Sequence, residues 1–184
     1  MYRLACRCGY RQAEERIFAA DGGEWCWSIH QEYFANAQGI LDWYHASEHV
    51  WATARVLYPD AKAAREAWAD QALTHLHDRG GCGLLDWLLE EHALWRRGKR
   101  KAVSKLIDYI PPRLDRTDYP TYRAHGWQIG TGMIESTAKQ LVGLRLKGPG
   151  MHWSEAGALA VTALRAQDLN GRWHKLWNTL TLNA

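Results

Sequence analysis

Three carboxylates stand at the edges of patterned segments in this 184-residue chain. Asp21 precedes Gly22-Gly23, Asp42 opens Asp42-Trp43-Tyr44-His45, and Glu135 falls in the first turns of a helical pattern. Carboxylates that converge bind hard divalent cations, Mg2+ or Mn2+, through oxygen. Two such ions about 3.5–4 Å apart stabilise both the attacking and the leaving oxygen of a phosphodiester displacement. Lys139 lies one turn beyond Glu135 on the same face, suited to neutralising a phosphate, and Arg145 and Lys147 extend that basic strip. Plainer roles compete with this chemistry. Glu135 near a helix start is a natural dipole partner, and an aspartate before Gly-Gly is a natural turn-former. His45 and His49 have the i, i+4 spacing of a metal pair on a helix, but two histidines are short of a ligand set.

The elements that must position these residues follow from periodicity. Ile17-Phe18-Ala19-Ala20 is a short apolar run ending at Asp21-Gly22-Gly23, which predicts a buried strand and a sharp turn. Trp25, Ile29 and Tyr33, with Trp27 and Phe34 beside them, predict a helix from Glu24 to Phe34. Gly39 to His45 reads as a second strand. Strand, helix, strand is the unit of a parallel sheet, whose chemistry collects at the carboxyl ends of the strands. From Ala46 to about Asp108 the pattern is helical, broken at Pro59-Asp60 and at the glycine-rich Gly80-Gly81-Cys82-Gly83. A basic helix from Lys99 to Tyr109 stops at Ile110-Pro111-Pro112. The Pro/Asp/Tyr-rich stretch to residue 125 reads as a connection. Gly126, Gly130 and Gly132 then run into a helix in which Ile134, Ala138 and Leu141 share a face and Thr131 stands at the N-cap position. Ser154 opens a last long helix, reaching about Leu180.

These segments predict a predominantly helical α/β chain. Residues 1–16 are left unassigned, 17–45 and 126–184 supply the sheet unit and the Glu135 part, 46–110 form an all-helical insertion, and 111–125 a linker.

Composition sets the class. Hydrophobic residues are 47% and charged residues 23%, ordinary for a globular domain. No apolar run approaches the ~20 residues that span a bilayer, and the N-terminus lacks an apolar leader core, so a cytoplasmic protein without a membrane partner is expected. Cys6, Cys8, Cys26 and Cys82 include one C-x-C pair and two isolated residues, short of the paired spacing of a zinc site, and free thiols are expected. The net charge is +3. Basic residues cluster at Arg96, Arg97, Lys99, Arg100 and Lys101, and again at Lys139, Arg145 and Lys147, a distribution that permits nucleic-acid binding without proving it. Eleven tryptophans point to aromatic packing of helices or to stacking on bases.

Four stretches carry a resemblance: Asp21-Gly-Gly-Glu-Trp-Cys-Trp27, Ile40-Leu-Asp-Trp-Tyr-His-Ala-Ser-Glu-His49, Trp127-Gln-Ile-Gly-Thr-Gly-Met-Ile-Glu-Ser136 and Arg145-Leu-Lys-Gly-Pro-Gly-Met-His-Trp153. In order, from about Glu15 to Trp177, they resemble the C-terminal half of insertion-sequence transposases of the ISKra group, relatives of the Mutator-like DDE transposases. The resemblance implies a partial RNase H-like core with a helical insertion before the catalytic glutamate. It implies Mg2+ or Mn2+ as cofactor, and transposon ends and target DNA as partners, with a homo-oligomer expected. Asp21 matches the family's second catalytic aspartate, and Glu135 the glutamate of a G-S-G-x-I-E-S motif in which Thr131 replaces serine. These two are the expected metal ligands, and Asp42 and His45 fall in the D-W-Y-H motif as supporting residues. The family's first catalytic aspartate lies upstream of every segment seen here, and no aspartate precedes Asp21. The resemblance therefore implies an N-terminally truncated chain, with little activity by itself, that works with a separately encoded N-terminal fragment. Two other readings stay open. A non-catalytic DNA-binding or regulatory module would keep the basic surfaces. A structural helical protein would use the acids as caps and the tryptophans as core.

Overall fold

A computed structural model describes residues 1–181. Helix accounts for 70% of the chain and strand for 4%. The chain divides into two compact units, Met1–Thr131 and Gly132–Ala184.

The first unit begins with a short helix, α1 (Tyr2–Arg7), in the stretch that sequence left unassigned. β1 (Ile17–Ala20), α2 (Glu24–Tyr33) and β2 (Gln38–Leu41) follow. The two strands pair in parallel, Ile17 with Gln38 through Ala20 with Leu41, as the strand-helix-strand pattern predicts. Asp21 and Asp42 thus leave the carboxyl ends of adjacent strands.

β2 is shorter than expected. The run predicted to continue to His45 turns helical at Trp43, because Asp42 caps α3 (Trp43–Leu57) by accepting the His45 amide. α4 spans Lys62–Leu94 and is interrupted at Gly80 (φ 67°, ψ −165°). A straight helix would separate Trp68 from Glu91 by roughly 35 Å, at 1.5 Å per residue. Their side chains instead meet in a 2.7 Å hydrogen bond, so α4 folds back on itself as a hairpin. Only Gly80 leaves helical geometry; Gly81, Cys82 and Gly83 are helical, where a loop was expected. A Cβ on Gly80 would lie 2.8 Å from the Thr117 carbonyl oxygen, so both its left-handed φ and its packing call for glycine. α5 (Arg97–Tyr109) carries the basic cluster outward and buries Val103 and Leu106.

The expected linker 111–125 is structured. A 3-10 helix (Pro111–Arg116) leads into α6 (Tyr119–Ala124). Tyr119 is fully buried and donates its hydroxyl to the Leu41 carbonyl at 3.0 Å. Tertiary packing overrides the loop-like composition here. One core joins Ile40 and Leu41 of β2 to Val50, Ala54 and Leu57 of α3, Ala69, Ala72, Leu84 and Leu88 of α4, and Tyr119 of α6. Each large apolar side chain removed from water contributes about 1.5–3 kcal/mol. The helices of 46–110 therefore share a core with the sheet unit instead of forming a separate layer.

The second unit is helical: α7 (Gly132–Ala138), a π-helical turn (Lys139–Gly143), α8 (Leu144–Leu146), α9 (Glu155–Leu169) and α10 (Trp173–Thr181). Ser154 caps α9 as its sequence predicts, accepting the Gly157 amide at 3.1 Å. The expected single helix to Leu180 is broken at Asn170-Gly171, where Gly171 takes φ 66°. The last three residues of the 126–184 segment lie outside the described residues. Among the described residues no helix is long and apolar enough to cross a membrane.

Candidate functional site

Parallel pairing sets the two aspartates side by side, but their surroundings differ. The Asp42 amide donates to the Ala20 carbonyl at 2.7 Å, continuing the ladder past β2. Its side chain is 2% exposed. One carboxylate oxygen caps α3 at 2.8 Å, and the other accepts both the amide and the hydroxyl of Thr131 at 2.5 Å each. The Trp43 amide donates to the Ile129 carbonyl at 2.8 Å in the same region. Asp42 therefore binds the end of the glycine-rich stretch, just ahead of α7, to the start of α3.

Asp21 is exposed. One of its oxygens accepts the Gly23 amide at 2.9 Å and the Cys26 thiol at 3.5 Å, and its carbonyl accepts the Trp27 indole N–H at 2.9 Å. Burial, then the hydrogen bond to Asp21, pushes the Cys26 thiol above its usual range, so it stays protonated as the donor. All four cysteines are free.

Beside the Asp21 turn, aromatic and basic groups pack in series. The His45 imidazole lies against Gly22, where an added Cβ would stand 2.4 Å from its Nε2. His45 meets His49 edge-on at 5.1 Å, His49 stacks on Tyr109 at 3.9 Å, and the Arg113 guanidinium covers the other side of that ring system at 4.1 Å from the Tyr109 centroid. Burial, helped by His45 and Arg113, holds His49 below the ordinary imidazole range. The i, i+4 histidines thus pack edge-on, with His49 against Tyr109 and neutral near pH 7. Burial pushes Tyr109 up to about 12, with the Asp21 carboxylate adding to the rise, and its hydroxyl is enclosed without a hydrogen-bond partner among the described residues. Sequence reasoning missed Tyr109 and Arg113. Their signal was weak, since both flank the Ile110-Pro111-Pro112 stop and read as a helix end.

The predicted basic residues are all exposed, but unequally free. Lys99 leans over the Tyr58 and Trp95 rings, and Arg100 donates to His92 at 3.2 Å. Arg97 takes a left-handed φ of 51°. Lys101 lines a groove between α3 and α5, of about 330 Å³, together with Lys105 and His49. Glu135, Lys139, Arg145 and Lys147 are exposed within the second unit, Glu135 in the first turn of α7.

Oxygen donors suit Mg2+ or Mn2+, and Asp21 fits such an ion, being exposed and a carboxylate. Asp42 fits less well, being buried with N–H or O–H donors already on both oxygens. No group of three or more His, Cys, Asp or Glu side chains placed to hold a metal ion occurs among the described residues. No protein-family model, curated protein or solved structure matches the chain.

Proposed function

We propose that this chain is a C-terminal portion of a DDE-type transposase of the ISKra kind, acting in metal-dependent cleavage and transfer of DNA strands. On this reading the β1-α2-β2 unit is part of an RNase H-like core, Asp21 and Glu135 are two of its catalytic acids, and Mg2+ or Mn2+ polarises the phosphodiester when bound. Asp21 would contribute one carboxylate ligand. Asp42 serves as a positioning acid, and His45 flanks the Asp21 turn. The DNA partners are transposon ends and target. The observation that carries the proposal is an exposed aspartate at the carboxyl end of a parallel strand, where α/β sheets collect their chemistry. The four ordered motifs and the exposed basic residues of α5 support it.

A second reading, DNA binding without cleavage, is favoured by the engagement of Asp42, which leaves Asp21 as the available carboxylate of the strand-end pair. One experiment separates the two. Supercoiled plasmid is incubated with the chain in Mg2+ or Mn2+, beside Asp21→Ala and Glu135→Ala. Metal-dependent nicking lost in both variants assigns catalysis to this chain without the upstream aspartate, and overturns the little activity that truncation implies. Salt-sensitive binding in all three, with no nicking, moves the assignment to the binding reading. Absence of DNA binding at low salt overturns both and leaves a structural helical protein.

A further inference from the structure

A hollow on the first unit has the composition of a cation site and lies apart from Asp21. It measures about 430 Å³, and Tyr58, Trp68, Trp95, Glu91, Leu94 and Gln71 are among the residues that line it. It exists because α4 folds back at Gly80: one arm supplies Trp68, the other Glu91, and the residue after that arm is Trp95. Tyr58, just past α3, meets Trp95 edge-on at 5.5 Å.

The carboxylate is built into place. A single oxygen of Glu91 accepts two indole N–H groups, from Trp68 at 2.7 Å and from Trp95 at 3.2 Å. Trp68 is buried and Glu91 half-buried. Two neutral donors orient that charge without cancelling it. Among the described residues no lysine, arginine or histidine lies within ion-pair distance of Glu91. Its field still reaches the neighbourhood, since the carboxylate adds to burial in raising the Tyr58 hydroxyl. The Tyr58 and Trp95 faces are open to a cation as well. The Lys99 ammonium stands 5.4 Å from the Trp95 centroid and 5.8 Å from that of Tyr58, near the outer limit of a cation–π contact. Lys99 therefore stands beside these rings and is not among the residues that line the hollow.

We propose that this hollow binds an organic ammonium ion, with Glu91 as counter-charge and Tyr58, Trp68 and Trp95 as the aromatic walls. Aromatic rings around a carboxylate favour an alkylated ammonium over Na+ or K+. The alkyl groups bury against the rings at little dehydration cost, whereas a small inorganic cation keeps its water. Lys99 is a weak internal competitor for the Tyr58 and Trp95 rings. The proposal is independent of the transposase reading.

The test is a titration of the full chain with tetramethylammonium chloride, following the indole N–H resonances of Trp68 and Trp95 by NMR. NaCl at matched ionic strength is the control. Saturable shifts of both resonances, absent with NaCl, are expected. Glu91→Gln keeps an oxygen for the two indole donors but removes the charge, and should weaken binding about tenfold. Lys99→Ala should tighten it several-fold. Shifts that do not saturate, or that NaCl reproduces, overturn the proposal, as does unchanged affinity in Glu91→Gln with dispersed indole resonances. N-acetyl-trimethyllysine methylamide, titrated in parallel, identifies the source. Tighter binding than tetramethylammonium assigns the site to a modified side chain, and equal binding assigns it to a free quaternary ion.

Discussion

The two units are built from the same kind of amphipathic helix and end in different states. In Met1–Thr131, helices from three segments close over β2, and Ile40, Leu41, Val50, Ala54 and Leu88 lose all contact with water. In Gly132–Ala184, no described residue is buried, and Ile134 and Leu159 remain 66% and 65% exposed. Helical periodicity places apolar residues on one face in both units. A core also requires enough facing surfaces to enclose that face, and the first unit has them because α4 doubles back and the 111–125 segment packs beneath it. The acids do not divide by unit, since Asp21 and Asp42 both belong to the first. Asp42 is enclosed and engaged on both oxygens, while Asp21 and Glu135 stand at the surface.

This comparison can be broken most directly in the first core. Leu88→Ala leaves a cavity where no water reaches, and a loss of about 3 kcal/mol is expected in urea denaturation. Asp42→Ala removes the α3 cap and strands the Thr131 donors together, for an expected loss of about 2–3 kcal/mol. Hydrogen exchange sharpens that result: the Thr131 amide should exchange faster in the variant, because its acceptor is gone. Gly80→Ala forces a Cβ toward the Thr117 carbonyl at a left-handed φ, and a cost of about 1–3 kcal/mol is expected by the same denaturation.

A smaller effect concerns pH. His49 is held below its ordinary value near 6.5, so the unfolded chain takes up the proton first as pH falls. Its contribution to stability is full above about pH 6.5 and is lost as pH drops toward the folded value. Denaturation midpoints measured across pH 7.5 to 5 should fall less steeply in His49→Gln than in the parent chain. The smallest effect belongs to the second unit. Leu159→Ala removes an exposed side chain and should change stability by no more than about 0.5 kcal/mol. A loss comparable to that of Leu88→Ala would show that the α9 face is covered, and the contrast between the units would fail.

Much of the frame was legible from residues. The apolar runs Ile17–Ala20 and Gly39 to His45 signalled two strands, and both formed in parallel, the second only as far as Leu41; the first, read as buried, encloses only Ala20, with Ile17 exposed. The basic helix stopped at its prolines, and Ser154 capped α9. The site was less legible. Asp42 in Asp-Trp-Tyr-His reads equally as a strand-end ligand and as a helix cap, and only the approach of Thr131, 89 residues later, spends its second oxygen. Tyr119 sits in a stretch whose Pro and Asp content reads as a connection, and it is buried because Leu41 presents a carbonyl 78 residues away. The break at Asn170-Gly171 was present as a turn signal, hidden by the strong apolar stripe on either side.

By itself, then, the sequence determined the local grammar: where strands and helices start, where charge gathers, and which acids stand at element boundaries. Those properties depend on neighbours within a few residues, through backbone sterics, periodicity and capping. Tertiary structure alone decided which acid is enclosed and which is exposed, that His49 stacks on Tyr109, and that α4 folds back to set Glu91 between two tryptophans. Each depends on groups far apart in the chain, whose meeting is fixed by closure of the shared core and carries no local signature.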